Sequence, residues 1–376
     1  MAKKTGQDAY KTLIRVLVVL VVLTLLGGAG YVLVDQSIKA QNEENLAAAA
    51  QQNQTLEQEY RQAKAEEAQK QQKGEEIQWP QPVGTGWEVI DLSNYPMTNA
   101  ATVTASRKEL LLGGMLLLNH WHALPSDFPE DELLAVYTVD KNIPVSGSRV
   151  RLFPSAISAL SDMIAAAKEA GLEGFLVEEG YRSMERQTEL YDKEAERYSD
   201  KFSGESLIRK VRQTVNYPGT SEYQSGFSFC MGRYSKDDAA LMNKKFHETA
   251  LSDWMLENCW QYGLIFRFPV QGYPNATVAD KSYKTGESKK LSIYRYVGKP
   301  HAAAMRALDM CMEEYIEYLV KHPHIAVYEN GVLRYEITRT AGGDTAADVS
   351  VSVSRAAKDY TLSTDNMGGV ITSMTY

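Results

Sequence analysis

The histidines whose spacing suits metal binding fall into two pairs, His120 with His122 and His322 with His324. Two-residue spacing places both imidazoles of a pair on the same face of a strand. A catalytic zinc site typically needs three protein ligands and a bound water, and neither pair has a third ligand or a general base nearby. We therefore expect these histidines to lie on the surface or to serve packing, and we expect no metal there.

Nucleophilic chemistry has two candidates, and each lacks a partner. Lys284-Thr285-Gly286 matches a triplet of penicillin-binding proteins, but the Ser-x-x-Lys motif that accompanies it there is absent from the chain. Cys230 would need a histidine as its base, and none is close in the sequence. The cysteines form no CxxC pair and allow at most one disulfide; they are Cys230, Cys259 and Cys311. Cys230 is expected either to pair with Cys259 or to be buried as a small apolar side chain.

The sequence near the N-terminus predicts a membrane anchor. Residues 16–34 form an uncharged apolar run of about the length that spans a bilayer as a helix. Basic residues precede the run and acidic residues follow it, so we expect residues 1–15 in the cytoplasm and the main domain outside the cell membrane. A cleaved signal peptide is the alternative, although the apolar core of a signal peptide is usually shorter.

A stalk follows the apolar run. Residues 35–78 are dominated by Ala, Gln, Glu and Lys, which predicts a helix. Their few apolar residues keep no heptad seam, so a coiled coil is poorly supported and a solvated spacer is favoured. Pro80 and Pro82 end the helix and mark the entry into a folded domain over 85–320.

The folded domain mixes helices and strands. Apolar residues at helical spacing predict a helix from Ser155 to Ala170, which Gly171 would cap. A short buried strand is expected over 174–177, and further helices after Ser183 and from Thr249 to Tyr262. After His324 the apolar residues alternate and Asn330-Gly331 signals a hairpin, which predicts a small β appendage over 321–376. The fold class is α+β.

Composition excludes one class of partner. The chain has 376 residues and a formal charge of −8, and no long stripe of Lys and Arg. Nucleic-acid binding needs a basic surface, so nucleic acid is not expected as the main partner.

Four ordered segments, which together cover roughly residues 111–319, form one recognisable set. The segments are Leu116 to Asn119 with Leu124-Pro125; Gly180 to Ser183 with Gln187 and Leu190-Tyr191; Pro218 to Gly226 with Cys230; and Trp254, Asn258, Tyr262-Gly263, Arg267 to Pro269, Thr285-Gly286 and Tyr294 to Gly298. In this order they resemble the segments of the VanY-like zinc carboxypeptidases, which are grouped with the LAS peptidases. The resemblance implies a small antiparallel sheet with flanking helices and, in active members, D-alanyl-D-alanine carboxypeptidase activity with zinc.

The residues that hold zinc and activate water in active members are replaced. The family's third segment supplies a His and an Asp as ligands, and here these positions hold Tyr223 and Cys230. Its fourth segment supplies a Glu base and a His ligand, and a gapless alignment places Lys290 and Ile293 there. A neutral phenol and a lone thiol hold zinc poorly, and a lysine at the base position repels a metal cation. We expect no catalytic residues and no zinc.

Four other family positions are retained, namely Arg182, Gln187, Ser221 and Arg295. In relatives the arginine of the second segment and its surroundings face the substrate cleft, so Arg182 could hold a peptide carboxylate, with Lys290 adding a charge. Alternatively, these residues serve only the fold. Three functions remain open: an inactive homologue that binds peptidoglycan stem peptides or an envelope protein, an active D-Ala-D-Ala carboxypeptidase, and a structural module of an envelope complex.

Overall fold

The computed structural model describes residues 79–271, 279–344 and 347–376, together with Gln58, Arg61 and Gln62, which are helical. The predicted cytoplasmic segment, the membrane span at 16–34 and nearly all of the stalk lie outside the described residues. Among the residues that are described, no helix is both long and apolar enough to cross a membrane. The fold below belongs to one compact unit, Ile77–Tyr376.

Helices and strands are interspersed up to Lys321, and five consecutive strands follow. The helices, numbered α1 to α10, are Arg107–Leu111, Val136–Val139, Pro154–Glu169, Met184–Tyr198, Gly204–Arg212, Ala239–Met242, Ala250–Asn258, Ser282–Thr285, Lys299–Leu308 and Met312–Lys321. The strands, numbered β1 to β13, are Trp87–Asp91, Ala100–Ala105, Leu134–Ala135, Arg151–Leu152, Phe175–Glu179, Ser228–Arg233, Leu264–Phe266, Ile293–Tyr296, His324–Glu329, Val332–Ala341, Val349–Ser354, Asp359–Thr364 and Gly369–Thr375. Short 3₁₀ turns occur at Glu130–Glu132, Glu222–Ser225, Phe246–Glu248 and Cys259–Tyr262.

The first sheet has four antiparallel strands in the order β5-β6-β8-β7. The apolar face of α3 contributes Ile157, Leu160 and Met163 to the same core as Phe229 of β6. Helix α3 begins at a proline, whose fixed φ suits the first helical turn, and Gly171 follows it at a φ of 79°. The small antiparallel sheet with flanking helices, predicted from the sequence, is confirmed.

The second sheet joins both ends of the compact unit. Its five antiparallel strands are ordered β1-β9-β10-β13-β12, and a separate pair joins β2 to β11. The predicted hairpin is present, because Asn330 and Gly331 have φ values of 50° and 79° between β9 and β10. Helices α9 and α10 share a core with this sheet, for example through Ile316 and Ile325. The strands of the predicted appendage thus share a sheet and a core with earlier residues. The sequence did not predict this pairing, because alternation of apolar residues does not reveal which strand is the partner.

Candidate functional site

The first sheet brings together the positions at which the family resemblance places zinc ligands. Cys230 on β6 is directly opposite Ile293 on β8. Tyr223 lies in the 3₁₀ turn before β6, which ends at Gly226 with a φ of 73°. Tyr223, Ile293 and Phe268 form one buried cluster, and Cys230 packs against it. The alignment from sequence therefore identified residues that are neighbours in space.

This group, hereafter the Tyr223 cluster, is packed as an apolar core. The exposed fractions are 7% for Tyr223, 2% for Phe268 and 2% for Ile293. The Sγ atom of Cys230 lies 4.0 Å from Glu178 Oε2. Burial raises the pKa of the Cys230 thiol to about 11 and that of the Tyr223 phenol well above 10. Both side chains are therefore neutral near pH 7.

These residues do not fit a catalytic zinc ion. Zinc ligands are thiolates, neutral imidazoles and carboxylates, and three of them are needed to hold the ion while a water position stays open. Ile293 has no donor atom, and the neutral Tyr223 and Cys230 are poor ligands. Within residues 79–271, 279–344 and 347–376, no group of three or more His, Cys, Asp or Glu side chains is placed to hold a metal.

Lys290, at the position of the family's general base, belongs to a polar chain beside the Tyr223 cluster. Its Nζ lies 5.6 Å from the Phe268 ring centroid and donates to Glu287 Oε1 at 2.6 Å and to Asn216. Asn216 Nδ2 also donates to Glu287, at 2.8 Å. Burial lowers the pKa of Lys290, whereas the carboxylate of Glu287 opposes that shift. The amine is thus an ion-pair partner of Glu287 and is not positioned as a free base.

Arg182 also lies against the Tyr223 cluster. Its guanidinium carbon is 3.8 Å from the centroid of the Tyr223 ring. Its Nε and Nη2 donate to the two carboxylate oxygens of Glu179 at 2.6 Å and 2.5 Å, and Nη1 donates to Gln187 at 3.3 Å. A ligand carboxylate would have to compete with Glu179 for the same fork. Sequence reasoning missed Glu179, although an acidic residue three positions before the arginine was a visible signal.

The other retained residues are buried. Gln187 is 0% exposed and donates to the backbone oxygen of Asn216 at 2.7 Å. Ser221 is 1% exposed, and its Oγ has no hydrogen-bond partner among the described residues. Arg295 is 0% exposed and donates to Glu222 and to the backbone oxygens of Gly114 and Leu116. Substrate binding by Gln187 and Ser221 stays a prediction, whereas the position of Arg295 gives it a structural role.

Arg295 is part of a buried ion network beneath the site. Glu222 accepts from Arg295, from Arg267 at 2.9 Å and from Ser228 at 2.6 Å. Arg267 also forms a fork with Glu313, at 2.9 Å and 2.7 Å. Burial alone would raise the pKa of Glu222, but the two arginines outweigh it and hold that pKa at about 2. No sequence signal connected Glu313 to this network.

Of the four histidines, His324 alone lies on a strand of a sheet. Asn119 and His122 form an isolated bridge across a tight turn, so the expectation that His120 and His122 share a strand face was wrong. His322 Nδ1 lies 2.7 Å from Asp91, and His324 lies on β9 with Nε2 at 2.6 Å from Glu336. Surface or packing roles were expected for these histidines, and the carboxylate partners of His322 and His324 were not predicted.

The Lys284-Thr285-Gly286 triplet and the cysteines, which were the candidates for nucleophilic chemistry, are not activated in this structure. Lys284, in the short helix α8, donates to both carboxylate oxygens of Glu317 at 2.8 Å and 2.6 Å. All three cysteines are free, so Cys230 is not disulfide-bonded to Cys259. The alternative expectation, burial of Cys230 as a small apolar side chain, holds only in part, because Cys230 is partly buried and packs against the Tyr223 cluster.

Comparison with known proteins identifies the class. A family model described as VanY, D-alanyl-D-alanine carboxypeptidase, matches residues 149–283. The putative carboxypeptidase YodJ of Bacillus subtilis (strain 168) is 30% identical over 207 residues, which span 55% of this chain and 68% of that protein. The bifunctional D-Ala-D-Ala dipeptidase and carboxypeptidase VanXYC of Enterococcus gallinarum is 30% identical over 179 residues, or 47% of this chain and 84% of that protein.

A solved structure shares the fold. The D,D-dipeptidase VanXYg, determined in complex with a D-Ala-D-Ala phosphinate analogue, superposes with a TM-score of 0.56 at 20% identity, covering 74% of this chain and 99% of that chain. This chain therefore shares the fold of that solved structure. The chain belongs to the VanY D-alanyl-D-alanine carboxypeptidase family.

Proposed function

We propose that this chain is a catalytically inactive member of the VanY family that binds cell-wall peptides at the outer face of the cell membrane. The site of chemistry is replaced by a packed cluster, while the surrounding family scaffold is kept. The location outside the membrane rests on the apolar run at 16–34 and on the charges that flank it.

The Tyr223 cluster is the observation that supports inactivity. A zinc-activated water requires a metal held by three ligands and a base that accepts a proton. Here the ligand positions are a phenol, a thiol and an alkyl group in contact with Phe268. The base position is a lysine paired with Glu287. These positions therefore offer neither a set of three metal ligands nor a free proton acceptor.

A peptide ligand is proposed from the relatives and from what remains beside the cluster. VanXYg was determined with a D-Ala-D-Ala phosphinate analogue, and VanXYC is described as acting on D-Ala-D-Ala. In this chain the side chain of Arg182 stays 17% exposed, and that of its partner Glu179 stays 36% exposed. A peptide carboxylate could displace the Glu179 carboxylate from this partly open fork, because both groups present the same two oxygens.

Two assays on the full chain test the proposal. Incubation with a pentapeptide ending in D-Ala-D-Ala is expected to release no D-alanine, and calorimetry is expected to show binding that Arg182→Ala weakens. Release of D-alanine by the wild type would show an active carboxypeptidase. Absent binding, or binding equal in wild type and Arg182→Ala, would favour a structural module of an envelope complex. The internal ion pair between Arg182 and Glu179 is the observation that favours this second function.

A further inference from the structure

A polar pocket lies beside the Glu287 end of the site. Its volume is 220 Å³, and its walls include the last turn of α5, His120 and the residues that follow α8. Helix α5 contributes Arg209 and Arg212, and the opposite wall contributes Gly286 and Glu287. Since a water molecule occupies about 30 Å³ in the liquid, the pocket has room for a group of several heavy atoms.

Two residues that line the pocket each carry a buried hydrogen-bonding nitrogen without a partner. Within the described ranges, Arg212 Nε and His120 Nδ1 have no hydrogen-bond partner and almost no contact with solvent. Buried polar groups in folded proteins are nearly always hydrogen-bonded, so each such exception needs an explanation, for which a bound ligand is one candidate. A guanidinium nitrogen can only donate, which means that the missing partner of Arg212 is an acceptor.

The charges around the pocket favour an anion. Arg209 pairs with Glu205 at 3.2 Å, but their side chains are 71% and 52% exposed, so this surface pair is weak. Glu287 is the acidic group on the wall, and its carboxylate is already held by Lys290 at 2.6 Å and by Asn216 at 2.8 Å. The negative end of α5 also opposes an anion, but a helix end carries only about half a charge. Positive charge therefore remains in excess.

We propose that this pocket is an anion-binding site that takes the carboxylate or phosphate group of a ligand, with Arg212 as the principal donor and Arg209 and His120 beside it. Guanidinium groups suit both anions because their planar donors match two oxygens at once. The site is separate from the Arg182 fork, and it does not depend on the proposed function.

Titration of the full chain with inorganic phosphate and, separately, with acetate tests this site, followed by the Nε–H NMR signals of its arginines. Saturable shifts with either anion are expected, and the tighter anion identifies the group that the site prefers. Arg212→Gln is expected to weaken binding about tenfold or more, since charge-assisted hydrogen bonds are lost. The matched control is Arg186→Gln, an exposed arginine on α4 that pairs with Glu189 as Arg209 does with Glu205, and it is expected to bind like the wild type.

If Arg212→Gln fails to fold, Arg209→Gln replaces it, because Arg209 is largely exposed and its loss spares the core. A weakening of about threefold is then expected, in keeping with an exposed charge. The proposal is overturned if neither anion gives saturable binding, or if the pocket variant and Arg186→Gln bind alike.

Discussion

Restoring a single zinc ligand should damage this protein. Ile293→His returns the residue of active relatives to a position that is 2% exposed and packed against Tyr223 and Phe268. Removing the buried isoleucine side chain costs about 2 to 3 kcal/mol. Burying imidazole nitrogens without partners costs about 1 to 3 kcal/mol more. The expected loss of about 3 to 6 kcal/mol is a large share of a typical folding free energy of about 5 to 15 kcal/mol.

Urea denaturation followed by circular dichroism measures this loss, with Ile293→Val as the control. The valine variant keeps the apolar contact and should lose only about 0.5 to 1.5 kcal/mol. Added zinc should not rescue Ile293→His, because Tyr223 and Cys230 stay protonated beside it. A loss below about 1 kcal/mol, or stabilisation of the single variant by zinc, would refute the view that the site is a packed core.

Three further predictions concern the surroundings of the site. The pKa of Glu222 is held at about 2 against an ordinary 4.5, so its ion pairs should contribute about 3 kcal/mol to the free energy of unfolding above pH 4.5. This contribution should be lost as the pH falls towards 2. In denaturation curves measured from pH 7 to 2, Glu222→Gln should therefore lack this loss of stability in acid. Glu179→Gln should free the fork of Arg182 and tighten D-Ala-D-Ala peptide binding about tenfold in calorimetry, and unchanged affinity would contradict competition at this fork. Gly226→Ala should lower the free energy of unfolding by about 2 kcal/mol or more, because the φ of Gly226 is 73° and a Cβ there would lie 2.5 Å from the Phe153 ring. The control is Gly147→Ala, where a Cβ meets nothing within 4 Å, and it should change the free energy of unfolding by less than about 1 kcal/mol.

Local sequence signals predicted much of this fold. The apolar spacing of α3, the glycine after it and the Asn330-Gly331 hairpin are each set by a few neighbouring residues. The proximity of Tyr223, Cys230 and Ile293 also followed from sequence, because the family motifs fix the order of strands that hold them.

Partners distant in sequence could not be predicted in this way. Strand β1 pairs with β9, over 230 residues later, and alternation of apolar residues does not specify which edge a strand joins. The fork between Arg267 and Glu313 likewise depends on where α10 lies relative to the residues that follow β7. The commitment of Arg295 to Glu222 and to two backbone oxygens explains why a retained family residue does not by itself mark a ligand contact.

Zinc content tests the central claim most directly. The full chain is equilibrated with zinc, dialysed and measured by plasma mass spectrometry, beside a variant that carries Tyr223→His, Cys230→Asp, Lys290→Glu and Ile293→His together. No stoichiometric zinc is expected in the wild type and a gain of zinc is expected in the variant, since only the variant has three ligands and lacks the opposing cation. One zinc per wild-type chain, with D-alanine release that Cys230→Ala abolishes, would contradict this expectation.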